Sequence, residues 1–138
     1  MSEIVLTNDE KARYARHLIL PQVGEAGQKK IKSSSVLVVG AGGLGSPVLM
    51  YLAAAGIGKI GIIDDDKVDM TNLQRQIIHS TSSIGELKTE SAKRRIKQIN
   101  PEIIVDIFGT RLTIENAKEI IDGYDIIVDG TDNFATRY

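Results

Sequence analysis

The stretch VLVVGAGGLG at residues 36–45 decides the fold of this chain. Its opening apolar run does not alternate with polar residues, which predicts a strand buried on both faces, and the glycines after it predict a tight turn into a helix. Gly40, Gly42 and Gly45 match the pattern G-x-G-x-x-G. Glycines let the backbone approach an anion closely, and the first helical turn adds unpaired N–H groups and a partial positive charge. This stretch therefore predicts a nucleotide-like ligand without identifying it.

Strand and helix patterns alternate through the rest of the chain. Strands are predicted at 35–39, 59–64, 103–108 and 124–129, and helices at 44–55, 89–99 and 114–121, with a helical turn at 72–76. Such alternation favours right-handed crossovers. We therefore predict an α/β fold with a Rossmann-like, doubly wound and mainly parallel sheet.

A helical extension is predicted ahead of the first strand. Thr7 and Glu10 have the spacing of a capping box, which predicts a helix running toward Leu18. Three helix breakers then predict turns before a short helix at 28–32, namely Pro21, Gly24 and Gly27. We divide the chain into an N-terminal helical arm, 1–34, and a Rossmann-like nucleotide-binding domain, 35–138. Because four strands are only part of a doubly wound sheet, we expect this domain to be incomplete at its C-terminal end.

Composition narrows the classes of function. The chain has 138 residues, of which 42% are hydrophobic and 25% charged, which is typical of one globular domain with a core. A net charge of -1 gives no reason to expect a nucleic acid or membrane partner. No signal peptide or membrane span is recognisable, so we expect a cytoplasmic location. The absence of cysteine excludes disulfides, a thiolate zinc site and a cysteine nucleophile within these residues.

Asp64 ends the second predicted strand, 19 residues after Gly45. A nucleotide-binding domain of this type places there the carboxylate that accepts hydrogen bonds from ribose hydroxyls. The alternative is a surface aspartate in a cluster with Asp65 and Asp66, which would solvate the loop or lie near a metal. We favour the ribose role for Asp64.

The run from Asn72 to Gln76 lies just beyond the edge of the sheet where ligands bind in such folds. Asn72 can pair with polar ligand atoms, and Arg75 can hold phosphate oxygens with two parallel hydrogen bonds. A helix cap and a solvated arginine would explain the same two residues equally well.

Lys88 and Asp132 are candidates for phosphate and metal binding. A lysine at the start of a helix opposes the helix dipole unless an anionic ligand lies there; the alternative is one more cation on a basic helix. Asp132 and Asn133 follow the last strand, where a carboxylate could hold Mg²⁺ or cap the next helix.

His17 and His79 have no partner at a useful spacing, so we assign them structural or surface roles.

A set of motifs in a fixed order makes the chain recognisable. It resembles the ThiF/MoeB/HesA adenylyltransferases, which activate small ubiquitin-like sulfur carriers in molybdopterin and thiamine biosynthesis and are relatives of the ubiquitin-activating enzymes. The resemblance covers nearly the whole chain. The matching segments are 13–17 (RYARH), 40–45 (GAGGLG), 64–66 (DDD), 72–76 (NLQRQ), 85–88 (GELK), 99–101 (INP) and 129–133 (DGTDN).

The resemblance implies a reaction. The C-terminal glycine carboxylate of a sulfur carrier ending in Gly-Gly attacks the α-phosphate of ATP, and an acyl-adenylate and pyrophosphate form. Gly43 and its neighbours would approach the phosphates, Asp64 would bind ribose, and Asp132 would coordinate Mg²⁺. The phosphate contacts would come from Asn72, Arg75 and Lys88, and the wider nucleotide-binding set would include Asp66, Gln76 and Asn133. The resemblance also implies a homodimer in which Arg16 reaches the ATP site of the other subunit.

Members of the family continue well past residue 138, and their later part often carries a zinc site. We therefore expect zinc only outside this sequence, and the isolated chain could be inactive.

Two other functions are compatible with the glycine turn. An NAD-dependent oxidoreductase would use the turn and Asp64 but leaves Arg75, Lys88 and Asp132 without roles. A non-catalytic nucleotide-binding or dimerisation module would fit a shortened chain.

Overall fold

The structure is a computed structural model that describes residues 4–130. Within them four parallel strands form one sheet: β1 (Ser35–Val39), β2 (Lys59–Ile63), β3 (Ile104–Phe108) and β4 (Ile126–Asp129). The helices are α1 (Asn8–Arg13), α2 (Ala15–Leu18), α3 (Gly24–Ser33), α4 (Gly45–Ala55), α5 (Lys88–Ile99) and α6 (Ile114–Ile121). Two 3₁₀ turns cover Met70–Asn72 and Thr81–Ser83.

The strand order is β3-β2-β1-β4. The chain moves outward from β1 to β3 and then crosses back to place β4 on the other side of β1, so the topological switch point lies between β1 and β4. Val39 pairs with Ile63 and with Asp129, and Ile63 pairs with Phe108. All four strands therefore end at one level, and the residues that follow them share one edge of the sheet.

Both faces of the sheet are covered, as the uninterrupted apolar runs predict. Val36 and Val38 of β1 belong to the larger core, which includes Leu49 and Ala53 of α4 and Ile96 of α5. The alternate β1 residues belong to a smaller core on the opposite face together with α6, namely Leu37, Val39, Ile120 and Ile121. This arrangement confirms the predicted α/β, doubly wound fold.

The N-terminal helices differ from the prediction. Tyr14 interrupts the first helix, with φ -101° and ψ 19°, and separates α1 from α2. Its buried side chain accepts a hydrogen bond from Asn100 at 2.6 Å. The next helix begins at Gly24, four residues earlier than predicted. Gln28 within it is buried and donates to the carbonyl of Ala55 at 2.9 Å. Tertiary contacts override the low helix propensity of the two glycines here.

A buried ion pair also anchors the arm. Glu10 accepts hydrogen bonds from Thr7 N–H at 2.9 Å and from Lys32 Nζ at 2.6 Å. Burial alone would raise the pKa of Glu10, but these hydrogen bonds and the positive charge of Lys32 bring it below its ordinary value. The capping box predicted from Thr7 and Glu10 is thus confirmed.

Smaller differences affect the loops. The helical turn predicted at 72–76 lies at Met70–Asn72, where Asp69 caps it, and the turn at Thr81–Ser83 was not predicted. None of the helices in the described part of the chain combines the length and apolarity that a bilayer crossing needs.

We expect Tyr14→Phe to lower the free energy of unfolding by about 1 kcal/mol, because it removes a buried hydrogen bond but keeps the ring. Asn100 also donates to Ala53, at 3.1 Å, so its amide would not lose every partner. Urea denaturation would measure the change. Tyr51→Phe is the matched control, because Tyr51 is 77% exposed. Equal stabilities of the two variants would contradict the role assigned to Tyr14.

Candidate functional site

A cavity of about 630 Å³ lies at the carboxyl edge of the sheet. Its wall includes Val39 and Ile63, the last residues of β1 and β2, and Gly130, which directly follows β4. It therefore lies at the topological switch point, where open α/β sheets bind ligands. Its volume is in the range of small-molecule sites.

Gly40 and Gly45 give the glycine turn, residues 40–45, its shape. Gly40 has φ +96°, a conformation that glycine adopts without strain. A Cβ added to Gly45 would lie 1.9 Å from the Gly40 carbonyl oxygen. The helix α4 can therefore begin this close to the end of β1 only without a side chain at residue 45.

Gly42 and Gly43 line the cavity and have a different reason to be glycine. A Cβ at Gly43 would come no closer than 3.6 Å to the Arg75 side chain, and one at Gly42 would lie 3.5 Å from the Gln76 amide nitrogen. Packing within the described residues would tolerate both. The N–H groups of Gly42, Gly43 and Leu44 donate to no acceptor within residues 4–130. The turn thus offers a bare backbone with free donors, which suits an anion.

Asp64 is held rigidly beside the glycine turn. Its Oδ2 accepts from the N–H of Ala41 at 2.8 Å, and its Oδ1 accepts from the N–H of Asp66 at 2.8 Å. Each carboxylate oxygen has two lone pairs, so Asp64 keeps the capacity to accept from ligand hydroxyls. It lines the cavity together with Asp65 and Asp66.

Asn72 acts as part of a turn cap and also lines the cavity. Its Oδ1 accepts the N–H of Asp69 at 2.9 Å, while the Asp69 carboxylate accepts the N–H of Thr71 at 2.9 Å. The N–H and hydroxyl of Thr71 hold the pKa of Asp69 below its ordinary value. The capping alternative for Asn72 is therefore realised, and it is compatible with a second contact to a ligand.

Arg75 contributes positive charge to the cavity wall. Its Nη1 donates to the carbonyl of Thr71 at 3.3 Å. Among residues 4–130 no acidic side chain pairs with its guanidinium group. The charge of Arg75 is thus available to an anion beside Gly43.

Lys88 is the most unusual group of the site. It is the first residue of α5, and it is 7% exposed although it carries a charge. Its Nζ lies 3.8 Å from Asp66 Oδ2, which is too long for a hydrogen bond, and the Asp66 side chain is 71% exposed. A buried ammonium group costs free energy unless it is closely paired. An anion in the cavity would provide that pairing.

Gln76 has a buried acceptor without a donor. The residue is 4% exposed and lines the cavity, and its Oε1 has no hydrogen-bond partner within the described residues. Buried acceptors are normally satisfied, so a donor from a ligand would remove this cost.

The structure adds residues that the sequence reasoning missed. Thr110, Arg111 and Leu112 line the cavity after β3. Their signal was available, because they follow a predicted strand at the same edge of the sheet. His79 is 6% exposed and forms a hydrogen bond with the glycine turn. Its predicted structural role is confirmed, but the residue lies closer to the site than expected.

Other predicted residues lie away from the cavity or outside the described residues. Arg16 is an exposed residue of α2 and does not line the cavity. His17 bonds Gln28 at 3.1 Å, which is a structural contact. Asp132 and Asn133 lie outside residues 4–130, so their assignments stay predictions.

The fold and the cavity define the class: a Rossmann-like α/β domain with an anion-suited cleft at its switch point. The chain belongs to the ThiF family, whose model matches residues 14–138. The family resemblance seen in the sequence is confirmed.

Named relatives agree with this membership. The chain is 59% identical over 130 residues to a probable molybdopterin-synthase adenylyltransferase of Porphyra purpurea, covering 94% of this chain and 34% of that protein. It is 51% identical over 132 residues to a sulfur carrier protein adenylyltransferase of Thermus thermophilus, covering 96% of this chain and 49% of that protein. The chain thus spans between a third and a half of these two relatives.

A solved structure shows the same fold. The tRNA N6-threonylcarbamoyladenosine dehydratase of E. coli, in complex with ATP, superposes with a TM-score of 0.89 at 32% sequence identity. The match covers 97% of this chain and 55% of that one.

Proposed function

We propose that this chain provides the ATP site of an adenylyltransferase that activates a small ubiquitin-like sulfur carrier protein. The observation that carries the proposal is the buried side chain of Lys88, which lines the same cavity as Arg75 and whose ammonium group is only weakly paired among residues 4–130. Two cations and the free N–H groups of the glycine turn suit a triphosphate. The names of the relatives, which are adenylyltransferases, support the choice of reaction.

The proposed reaction needs little covalent chemistry from the protein. A carboxylate oxygen at the Gly-Gly terminus of the carrier attacks the α-phosphorus of ATP, and the bond from that phosphorus to the bridging oxygen breaks. Pyrophosphate leaves with the bond electrons, and no proton is transferred. Arg75 and Lys88 would neutralise the developing charge, and the rigid carboxylate of Asp64 would orient the ribose. Positioning and charge stabilisation would supply most of the rate.

Mg²⁺, when bound, would supply further neutralisation of the phosphate charge. We assign its protein ligand to Asp132. Gly130 lines the cavity, so the chain reaches the site two residues before Asp132. The described part of this edge offers carboxylate oxygens, which are the donors Mg²⁺ prefers, so the surroundings fit the ion. Asn133 and the exposed Asp66 complete the proposed nucleotide-binding set.

We propose further that residues 1–34 form an arm that contacts a second subunit. Arg16 is exposed and has no ion pair or side-chain hydrogen bond within residues 4–130. An arginine that reaches across a homodimer to the partner's ATP would explain this. Mixing Arg16→Ala with Lys88→Ala subunits would restore one working site per heterodimer. If the heterodimers form but activity is not recovered, Arg16 acts within its own subunit.

The alternatives fit the cavity less well. An oxidoreductase leaves the charges of Arg75 and Lys88 unexplained. The dehydratase of E. coli shares the fold and binds ATP in its crystal, but it is only 32% identical, whereas the Thermus sulfur carrier adenylyltransferase is 51% identical. A sulfur carrier is therefore our preferred partner. A module that served only dimerisation would not need the cationic cavity.

Isotope exchange between ATP and pyrophosphate tests the proposal. The complete gene product, with whatever precedes or follows these residues, should catalyse exchange only when the carrier with its terminal Gly-Gly is added. A carrier lacking the last glycine is the matched control, because it keeps the fold of the partner but moves the carboxylate. Tight binding of NAD without any ATP binding would overturn the proposal in favour of an oxidoreductase.

A further inference from the structure

His79 connects the glycine turn to helix α5. Its Nε2 lies 2.8 Å from the carbonyl oxygen of Ala41, which is 38 residues away in sequence, and its Nδ1 lies 2.8 Å from Ser91 Oγ on α5. The ring is 6% exposed and does not line the cavity. His79 therefore contacts the backbone of the glycine turn without facing the cavity itself.

These two contacts determine the protonation of the ring. A carbonyl oxygen only accepts, so Nε2 carries the proton, and Nδ1 of the neutral ring accepts from the Ser91 hydroxyl. Burial holds the pKa of His79 below its ordinary value, and the nearby charge of Lys88 acts in the same direction. The Ala41 hydrogen bond and the negative charge of Asp64 oppose this shift but are outweighed. The neutral Nε2–H form is thus the one that the surroundings favour.

The hydrogen bond to Ala41 also orients the next peptide group. The bond between Ala41 and Gly42 is trans, since no cis peptide occurs among the described residues. In a planar trans peptide the C=O and N–H point in opposite directions. Holding the Ala41 carbonyl toward His79 therefore turns the Gly42 N–H away from it. Gly42 lines the cavity, and its N–H has no acceptor within residues 4–130.

Asp64 holds the peptide group that precedes the α-carbon of Ala41. It accepts the N–H of Ala41 at 2.8 Å, while His79 holds the carbonyl. Both peptide groups that flank the Ala41 α-carbon are thus held by side chains from outside the turn. A flip of the peptide after Ala41 would turn its carbonyl oxygen toward the cavity and leave the buried Nε2–H of His79 without its acceptor.

We propose that His79 is a positioning residue, which holds the Ala41 carbonyl so that the Gly42 N–H is presented to a phosphate group in the cavity. This inference rests on the proposed ATP site. It assigns to His79 a contribution to phosphate affinity, and none to recognition of the nucleoside.

Calorimetric titration of the complete gene product with ATP and with adenosine tests the inference. In His79→Leu we expect the affinity for ATP to fall about tenfold, because one donor to a charged group is no longer oriented. Affinity for adenosine should stay within about twofold, since adenosine has no phosphate. His79→Gln keeps an N–H donor and should recover part of the ATP affinity. Ile103→Ala is the control for lost stability, because Ile103 is a buried core residue outside the cavity wall.

The outcomes separate the two proposals. A wild type that does not bind ATP would overturn the proposed function and this inference together. A wild type that binds ATP, with an unchanged ratio of ATP to adenosine affinity in His79→Leu, would overturn this inference alone. The same holds if Ile103→Ala changes that ratio as much as His79→Leu does. If the leucine variant does not fold, ¹⁵N NMR of the wild type decides, because a proton on Nδ1 instead of Nε2 would contradict the proposed hydrogen bond.

Discussion

Lys88→Met is expected to reduce carrier-dependent ATP–pyrophosphate exchange by about 10²-fold or more, while the protein folds normally. Methionine keeps most of the length of the side chain but removes the charge. The side chain is 9% exposed, and its nearest carboxylate among residues 4–130, at 3.8 Å from Nζ, is solvated. Such a charge contributes little to the stability of the empty protein, and an apolar replacement of a buried charge is often neutral or stabilising.

We therefore expect the Lys88→Met variant to lose exchange activity without losing stability. Exchange rates would measure the first and thermal unfolding without nucleotide the second. Arg95→Met is the matched control, because Arg95 lies on the exposed side of the same helix. We expect Arg95→Met to keep its exchange activity. Near-normal exchange by Lys88→Met would refute the phosphate role of Lys88 and remove the main support for the proposed function.

Gly45→Ala is expected to lower the free energy of unfolding by about 3 kcal/mol, because overpacking a rigid site forces the backbone to move. The added Cβ would lie 1.9 Å from the carbonyl oxygen of Gly40 and 2.9 Å from its carbonyl carbon. Both contacts are to backbone, so no side-chain rotation relieves them. Nucleotide affinity should fall as well, since the turn and the start of α4 must separate.

Gly43→Ala is the matched partner of this variant. Its Cβ would meet the flexible Arg75 side chain at 3.6 Å, which is an ordinary contact. We therefore expect Gly43→Ala to keep normal stability but to lose ATP affinity, because the methyl group would occupy the surface that a phosphate approaches. Denaturant titrations and calorimetric binding of ATP would separate the two effects. Equal losses of stability in both variants would contradict the division of roles within the glycine turn.

Much of the site was predictable because its residues follow strands. In a parallel sheet every strand ends at the same edge, so the pattern that ends the first predicted strand at Val39 and the second at Asp64 also places Gly40 and Asp64 together. Lys88 was less predictable. Its position at a helix start was an ambiguous signal, and only the packing of α5 shows that the residue is buried.

His79 shows why the remainder could not be predicted. His79 was assigned a structural or surface role because no chemical partner stood at a useful spacing. Its partners are a backbone carbonyl 38 residues away and a serine hydroxyl, and neither type of group leaves a sequence pattern. Sequence spacing predicts contacts within one helix or strand, but contacts between elements depend on the packing of the sheet and helices.

The sequence by itself determined the α/β class, the glycine turn, the order of the motifs and the family, because these depend on local periodicity and on residue types at fixed spacing. The tertiary structure alone decided that Lys88 is buried beside a solvated carboxylate and that His79 holds the glycine turn through its backbone. It also decided that Gly42 and Gly43 could accept a Cβ at ordinary contact distance, whereas Gly45 could not. The physical reason is that burial, charge pairing and hydrogen-bond direction depend on distances between residues far apart in the chain. Those distances exist only after the sheet has formed and the helices have packed on it.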